Sequence, residues 1–205
     1  FCESSPDIYN PFSLLNCLNE KKFRNYWFST GTPTHLTKLL SQYILRPEEL
    51  EGFAASEMDF YVPIEHAETP IPILYQSGYV TIKNFDGYDF ILGFPNEEVR
   101  VSFLKGLAPY YTGNTATGNN SFLIKLMTSL NDGDIDTAMK LLRSFYSSIP
   151  YNAEKQDEDH YKTIFYLIFT LASEYSVRTE QCSAAGRCDA LIETEDTIYV
   201  FAFKL

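Results

Sequence analysis

Asp189 interrupts an otherwise apolar run, Cys188-Asp189-Ala190-Leu191-Ile192, and Lys204 interrupts a second, Ile198-Tyr199-Val200-Phe201-Ala202-Phe203-Lys204-Leu205. An acidic turn, Glu193-Thr194-Glu195-Asp196, separates them. Side chains alternate along a strand, so Ala202 and Lys204 share a face. If the two runs pair as a hairpin, Asp189 lies beside that face. Charges placed inside buried-looking strands need partners, because an unpaired charge is costly to bury. Two readings meet that demand. One is a structural Asp189–Lys204 ion pair. The other is a hydrolytic metal site. In the second, the Asp189 carboxylate holds a hard divalent cation through oxygen. A further acid completes the coordination, and the lysine orients or acidifies a water and stabilises charge on a phosphate.

The elements that must position these residues are legible upstream. Three strands are expected over 175–179, 188–192 and 198–203. They follow a helix over 154–173, strongly apolar across Ile164-Phe165-Tyr166-Leu167-Ile168-Phe169. Two amphipathic helices, 122–130 and 135–146, precede it. They are joined at Asn131-Asp132-Gly133-Asp134 and closed by Pro150. The stretch 112–121 is rich in Gly, Asn and Thr and reads as a domain boundary. It divides the chain into domains 1–113 and 121–205.

The first domain reads as helical over 11–45, with Phe12, Leu14, Leu15 and Leu18 on one face. Gly31-Thr32-Pro33-Thr34 interrupts it, and Thr34 is placed to cap a second helix carrying Leu36, Leu39, Leu40 and Tyr43. A linker or helical turn follows at 46–50. A helix over 68–78 has Pro70 and Pro72 in its first turn and Gly78 at its end. A strand over 79–82, the hairpin signal Asp86-Gly87 and a return strand over 88–92 come next. Asn96 then caps a helix with Val99, Phe103 and Leu107 on one face. Helices followed by a two-stranded wing and another helix predict a winged-helix-like module. Its wing has Lys83 but also Asp86 and Asp89, a poor surface for phosphate. That favours an interdomain or protein–protein adaptor over a DNA reader. The fold class expected for the whole is α+β, a helical winged-helix-like part followed by the front half of an α/β restriction-endonuclease-like core.

Composition narrows the field. A net charge of -11 excludes general attraction to nucleic-acid backbones, so any such contact needs a local basic patch or a bound metal. The chain has 15 Tyr and 16 Phe, apolar mass enough for two small cores, which argues against disorder. Cys2, Cys17, Cys182 and Cys188 form no C-x-x-C pair, and His35, His66 and His160 are far apart, so all seven read as structural or surface residues. No demand for disulfides predicts an intracellular, cytoplasmic setting. No segment is long and apolar enough to predict a membrane span, and the start of the chain lacks the pattern of a signal peptide. A strand pattern running to Leu205 with no following element predicts a piece of a longer protein.

Over 186–205 the chain resembles the core motif of the PD-(D/E)XK nuclease superfamily. Nearly the whole chain is similar to one bacterial branch of it, in which the nuclease domain follows an AAA-ATPase-like domain. Tyr9-Asn10-Pro11-Phe12-Ser13-Leu14-Leu15, Tyr26-Trp27-Phe28-Ser29-Thr30-Gly31-Thr32-Pro33 and Gln76-Ser77-Gly78-Tyr79 resemble the end of the ATPase-like region. Residues 161–169 and 186–205 resemble the nuclease portion. The resemblance implies Mg²⁺- or Mn²⁺-assisted hydrolysis of DNA. It makes Asp189 the metal ligand and Lys204 the catalytic lysine. Glu158 falls on the helix where many such folds place an additional acid, beside Asp157 and Asp159, which serve equally; a solvated acidic helix start is the alternative. The position between Asp189 and Lys204 that normally carries Glu is Ala202, whose methyl group ligates no metal. An engineered substitution, a natural pseudo-nuclease and a migrated carboxylate each account for it. Glu193, of the same strand parity as Asp189, is the candidate for the last. With Ala202 present, little or no activity is expected. The alternative function is a non-catalytic DNA- or protein-binding module. No G-x-x-x-x-G-K-[ST] loop occurs, so this chain is expected to hydrolyse no ATP.

Overall fold

The computed structural model describes residues 11–22, 26, 43, 46–63, 66–149, 158–172, 190–193 and 196–201. It is mixed helix and strand, as the α+β expectation requires. The chain divides into two units at Gly106/Leu107.

In the first unit, α1 (Pro11–Glu20) stops well short of residue 31. Lys21 adopts a positive φ of 53°, a conformation that ends a helix and disfavours side chains with a Cβ. Phe12, Leu14, Leu15 and Leu18 are all exposed, so the apolar face read from their spacing is not buried. The expected second helix, carrying Leu36, Leu39 and Leu40 behind Thr34, lies outside the described residues, and Tyr43 sits in a bend. Pro47–Glu49 makes one 3-10 turn.

Next come two elements the sequence pattern did not announce, β1 (Ala54–Ala55) and α2 (Glu57–Tyr61). Both are too short to show a period. A capping box makes α2 possible, with the Asp59 carboxylate accepting from the Ser56 backbone N–H at 2.7 Å. Then α3 (Ile71–Gln76) buries Ile71, Pro72, Ile73 and Leu74. Pro72 sits in its first turn, where no backbone N–H is needed, and Gly78 follows at a φ of 75°.

The hairpin forms two residues later than expected, as β2 (Thr81–Phe85) and β3 (Phe90–Gly93). Tyr79 and Val80 are instead held by bonds from their N–H groups to the carbonyl of Leu74. Both strands are antiparallel to their neighbours, in the order β1-β3-β2, with an irregularity between Ile82 and Asn84. At the turn, Asp86 Oδ1 accepts from the N–H groups of Tyr88 at 2.9 Å and Asp89 at 2.8 Å. These bonds hold the Asp86 carboxyl below the usual carboxylate range. Helix α4 (Glu97–Thr112) begins as its sequence predicts, with Asn96 Oδ1 accepting from the Val99 N–H at 2.9 Å. Val99, Phe103 and Leu107 are buried.

The second unit is built on helices. Residues 116–121, expected to belong to a domain boundary ahead of a helix at 122, are already helical: α5 spans Ala116–Asn131. Thr115 explains the early start, because its Oγ1 accepts from the Gly118 N–H at 3.0 Å. Asn119, polar by type, is buried and donates through Nδ2 to Thr112 Oγ1 at 3.1 Å.

A tight link joins α5 to α6 (Ile135–Ser148). The Gly133 N–H bonds to the Leu130 carbonyl at 3.1 Å and the Asp134 N–H to the Ser129 carbonyl at 2.8 Å. Those two bonds, with Gly133 at a φ of 72°, make a Schellman motif. Asp134 then caps α6, accepting from the Thr137 N–H at 3.0 Å. Gly133→Ala is expected to destabilise this unit by about 1–2 kcal/mol, the cost of a side chain at positive φ. Open space around the Cβ position means no clash adds to it. Urea unfolding followed by circular dichroism measures the loss, and no loss would show that the link relaxes.

Along α7 (Glu158–Ala172), Ile164, Leu167, Ile168, Phe169, Leu171 and Ala172 are buried. Leu126, Met127 and Leu130 of α5 and Leu142 and Phe145 of α6 are buried in the same unit. Among the described residues no helix is long and apolar enough to cross a membrane.

Candidate functional site

The two apolar runs do pair. β4 (Ala190–Glu193) and β5 (Ile198–Phe201) are antiparallel, with Ala190 opposite Phe201, Leu191 opposite Val200, Ile192 opposite Tyr199 and Glu193 opposite Ile198. The first expected strand, 175–179, lies outside the described residues.

β5 has one buried face. Tyr199 is 8% exposed, while Ile198 and Val200 are 59% and 63% exposed. From its sequence the run reads as a buried strand. Among the described residues only the face of Tyr199 is covered. That face is anchored at two points. The Tyr199 hydroxyl donates to the Leu130 carbonyl at 2.6 Å. The Phe201 ring lies 4.9 Å from that of Phe169 on α7. Tyr199 is a residue that sequence reasoning passed over. The available signal was its polar tip in an apolar strand, since a buried Tyr needs a hydrogen-bond partner.

The site residues proposed from sequence stand as follows. Asp189, Ala202 and Lys204 lie outside the described residues, the first beside Ala190 in sequence and the second beside Phe201. Glu158 is the first residue of α7. Glu193 occupies the turn end of β4, opposite Ile198. It is three strand steps from Ala190, about 10 Å.

Among the described residues no group of three or more His, Cys, Asp or Glu side chains comes together to hold a metal. His160 stacks near Tyr111, with centroids 6.0 Å apart. Burial pushes the hydroxyl of Tyr146 well above its usual range. A small cavity within the second unit, lined by Thr112, Asn119, Phe122, Phe145, Leu167 and Leu171, has room for little more than a water molecule.

The likenesses to known proteins take in both the β4–β5 hairpin and the rest of the chain. Residues 156–205 match the PD-(D/E)XK nuclease superfamily. The PD-(D/E)XK match thus begins just ahead of α7 and takes in β4 and β5. A curated relative, the "Uncharacterized protein in vnfD 5'region" of Azotobacter chroococcum mcd 1, is 30% identical over 210 residues. The alignment covers 97% of this chain and 40% of that relative's length. No solved structure matches.

Fitted to the PD-(D/E)XK motif, the donor set is short. Asp189 offers one carboxylate and Ala202 none. A hard divalent cation takes about six oxygen ligands.

Proposed function

We propose that this chain is part of an ATPase-linked, nuclease-like protein whose second unit is a PD-(D/E)XK domain with an incomplete site. The reaction class in an intact relative is metal-assisted hydrolysis of DNA phosphodiesters. Asp189 is the metal-binding aspartate, Lys204 is the lysine that orients water and steadies charge on phosphate, and Ala202 is the missing acid. The observation that carries this reading is the β4–β5 hairpin, packed through Tyr199 and Phe201 inside the matched segment. The reading requires the ladder to run one pair further, so that Asp189 stands opposite Ala202.

The upstream ATPase-like partner domain and the winged-helix-like character of the first unit belong to the same proposal. The strand order β1-β3-β2, with two short helices between β1 and β2, supports the latter. Its role is better read as an adaptor than as a DNA reader. Helix α3 carries no basic residue and buries four of its six residues. The wing turn carries Asp86 and Asp89.

A second reading is favoured by Ala202 itself: a non-catalytic module that binds DNA or protein through a degenerate nuclease fold. Plasmid cleavage with Mn²⁺ by the full-length protein separates the two. The Ala202→Glu protein is expected to cleave and the parent to show little or nothing. Silence from both leaves the non-catalytic reading.

A further inference from the structure

We propose that the turn end of the β2–β3 hairpin docks a basic, apolar segment of a partner protein, with its Arg or Lys side chains over the rings of Phe85 and Tyr88 and beside Asp86 and Asp89. The inference deepens the adaptor reading of the first unit and rests on that reading alone, not on the nuclease-like second unit. The hairpin is covered at its root, where Leu92 and Gly93 are buried, and open at its turn. Turn tips ordinarily carry small polar residues. This one reads Phe85-Asp86-Gly87-Tyr88-Asp89-Phe90, with three rings in six positions. Tyr88 is 90% exposed and Phe85 41%. The rings are fixed from within the unit. Phe85 pairs across the ladder with Phe90, their centroids 4.9 Å apart. Phe90 meets Phe60 of α2 at 5.5 Å, and Phe60 meets Tyr75 of α3 at 4.6 Å. The row runs from half-buried Tyr75 out to exposed Phe85. The helix that supplies Phe60 also exposes Met58 and Tyr61. A lone exposed apolar side chain is ordinary, whereas a connected group of them marks a contact surface. Rings already held in place lose little freedom when a partner closes on them.

Charge selects the occupant. Residues 51–90 include seven acidic residues and one lysine. That lysine, Lys83, donates to the Pro95 carbonyl at 3.5 Å. Among the described residues no ion pair neutralises Asp86 or Asp89. Asp86 spends Oδ1 on the N–H groups of its own turn, which fixes the carboxylate in place. Asp89 holds the turn only through its backbone, so its carboxylate is left for a partner. Ring faces carry the negative part of the aromatic quadrupole, so the rings and the carboxylates attract the same thing, a cation. The same group repels a phosphate backbone. A second copy of this chain would bring an identical acidic turn and is disfavoured by like charge.

The test titrates the full-length protein by calorimetry with a short peptide of alternating Arg and Leu, and with its counterpart in which Ser replaces Leu. The Arg–Leu peptide is expected to bind at least about tenfold more tightly than the Arg–Ser peptide and to slow amide exchange across 85–90. Tyr88→Ser, at an exposed position where folding is little affected, is expected to weaken that binding about tenfold or more. Asp89→Asn, which leaves the bonds of the turn intact, is expected to weaken it about two- to fivefold. Asp136→Asn, the same charge change on α6, is expected to leave it unaltered. Equal loss from Asp136→Asn, or equal binding of the two peptides, reduces the attraction to net charge and overturns the inference. So does protection of Tyr88 from oxidative labelling in the free full-length protein, because another part of the chain or a second copy then already covers it. No peptide binding overturns the inference and leaves the adaptor reading standing. Duplex DNA that binds in a Tyr88-dependent way overturns both.

Discussion

Cleavage gained by Ala202→Glu is expected to fall by about 10²-fold or more when Lys204→Ala is added. Removing one group that stabilises developing charge costs on the order of 10²–10³ in kcat. An ammonium on a four-carbon stem offers three donors and no acceptor, suited to steadying a phosphate oxygen or a water. The competing account, a structural Asp189–Lys204 ion pair, predicts something else. Removing one partner of a buried pair leaves the other charge uncompensated and destabilises the fold by roughly 3–5 kcal/mol. Plasmid nicking rates and thermal melting, measured on the same variants, separate the two. Lost cleavage with an unchanged melting temperature supports a role in the reaction. A lowered melting temperature with cleavage still in proportion to folded protein supports the ion pair.

Truncating Leu126 is expected to be the most damaging single change in the helical half of the second unit. Leu126 is 0% exposed on α5, whose Leu123, Met127 and Leu130 are also buried. Leu126→Ala should cost about 2–5 kcal/mol through lost burial and the cavity left behind. Ile198→Thr on the open face of β5 should cost no more than about 0.5 kcal/mol, as for other exposed positions. Hydrogen exchange at the α5 amides reads this unit alone, a sound precaution in a chain of two units. For Leu126→Ala, the most protected amides should exchange about 30-fold faster or more, since each 1.4 kcal/mol is a factor of ten. Equal exchange in the two variants would show that the α5 face is not the core of this unit.

The sequence by itself determined the elements whose signals are local. Asp86-Gly87 placed a hairpin, Asn96 a helix start and Gly78 a helix end, and Asn131-Asp132-Gly133-Asp134 marked the join between two helices. In each case one residue's own backbone or side chain satisfies groups a few positions away. The pairing of the two runs before and after the acidic turn was legible for the same reason, because a short turn leaves antiparallel pairing as the nearby option. Asp189 and Lys204 stand out by residue type and spacing, and Ala202 only through the resemblance; all three lie outside the described residues.

Tertiary structure decided the rest, through contacts between residues distant in the chain. The stretch 116–121 became helix because Thr115 caps it and Thr112 satisfies buried Asn119, which a count of Gly, Asn and Thr cannot show. β1, two residues long, exists only because β3 pairs with it. β5 reads from its sequence as a buried strand, and among the described residues packing covers only the face of Tyr199. The bond from Tyr199 to Leu130 spans 69 residues, and no periodicity announces it. Local hydrogen bonds are written in neighbouring residue types. Which apolar face is covered, and by what, depends on where the chain returns.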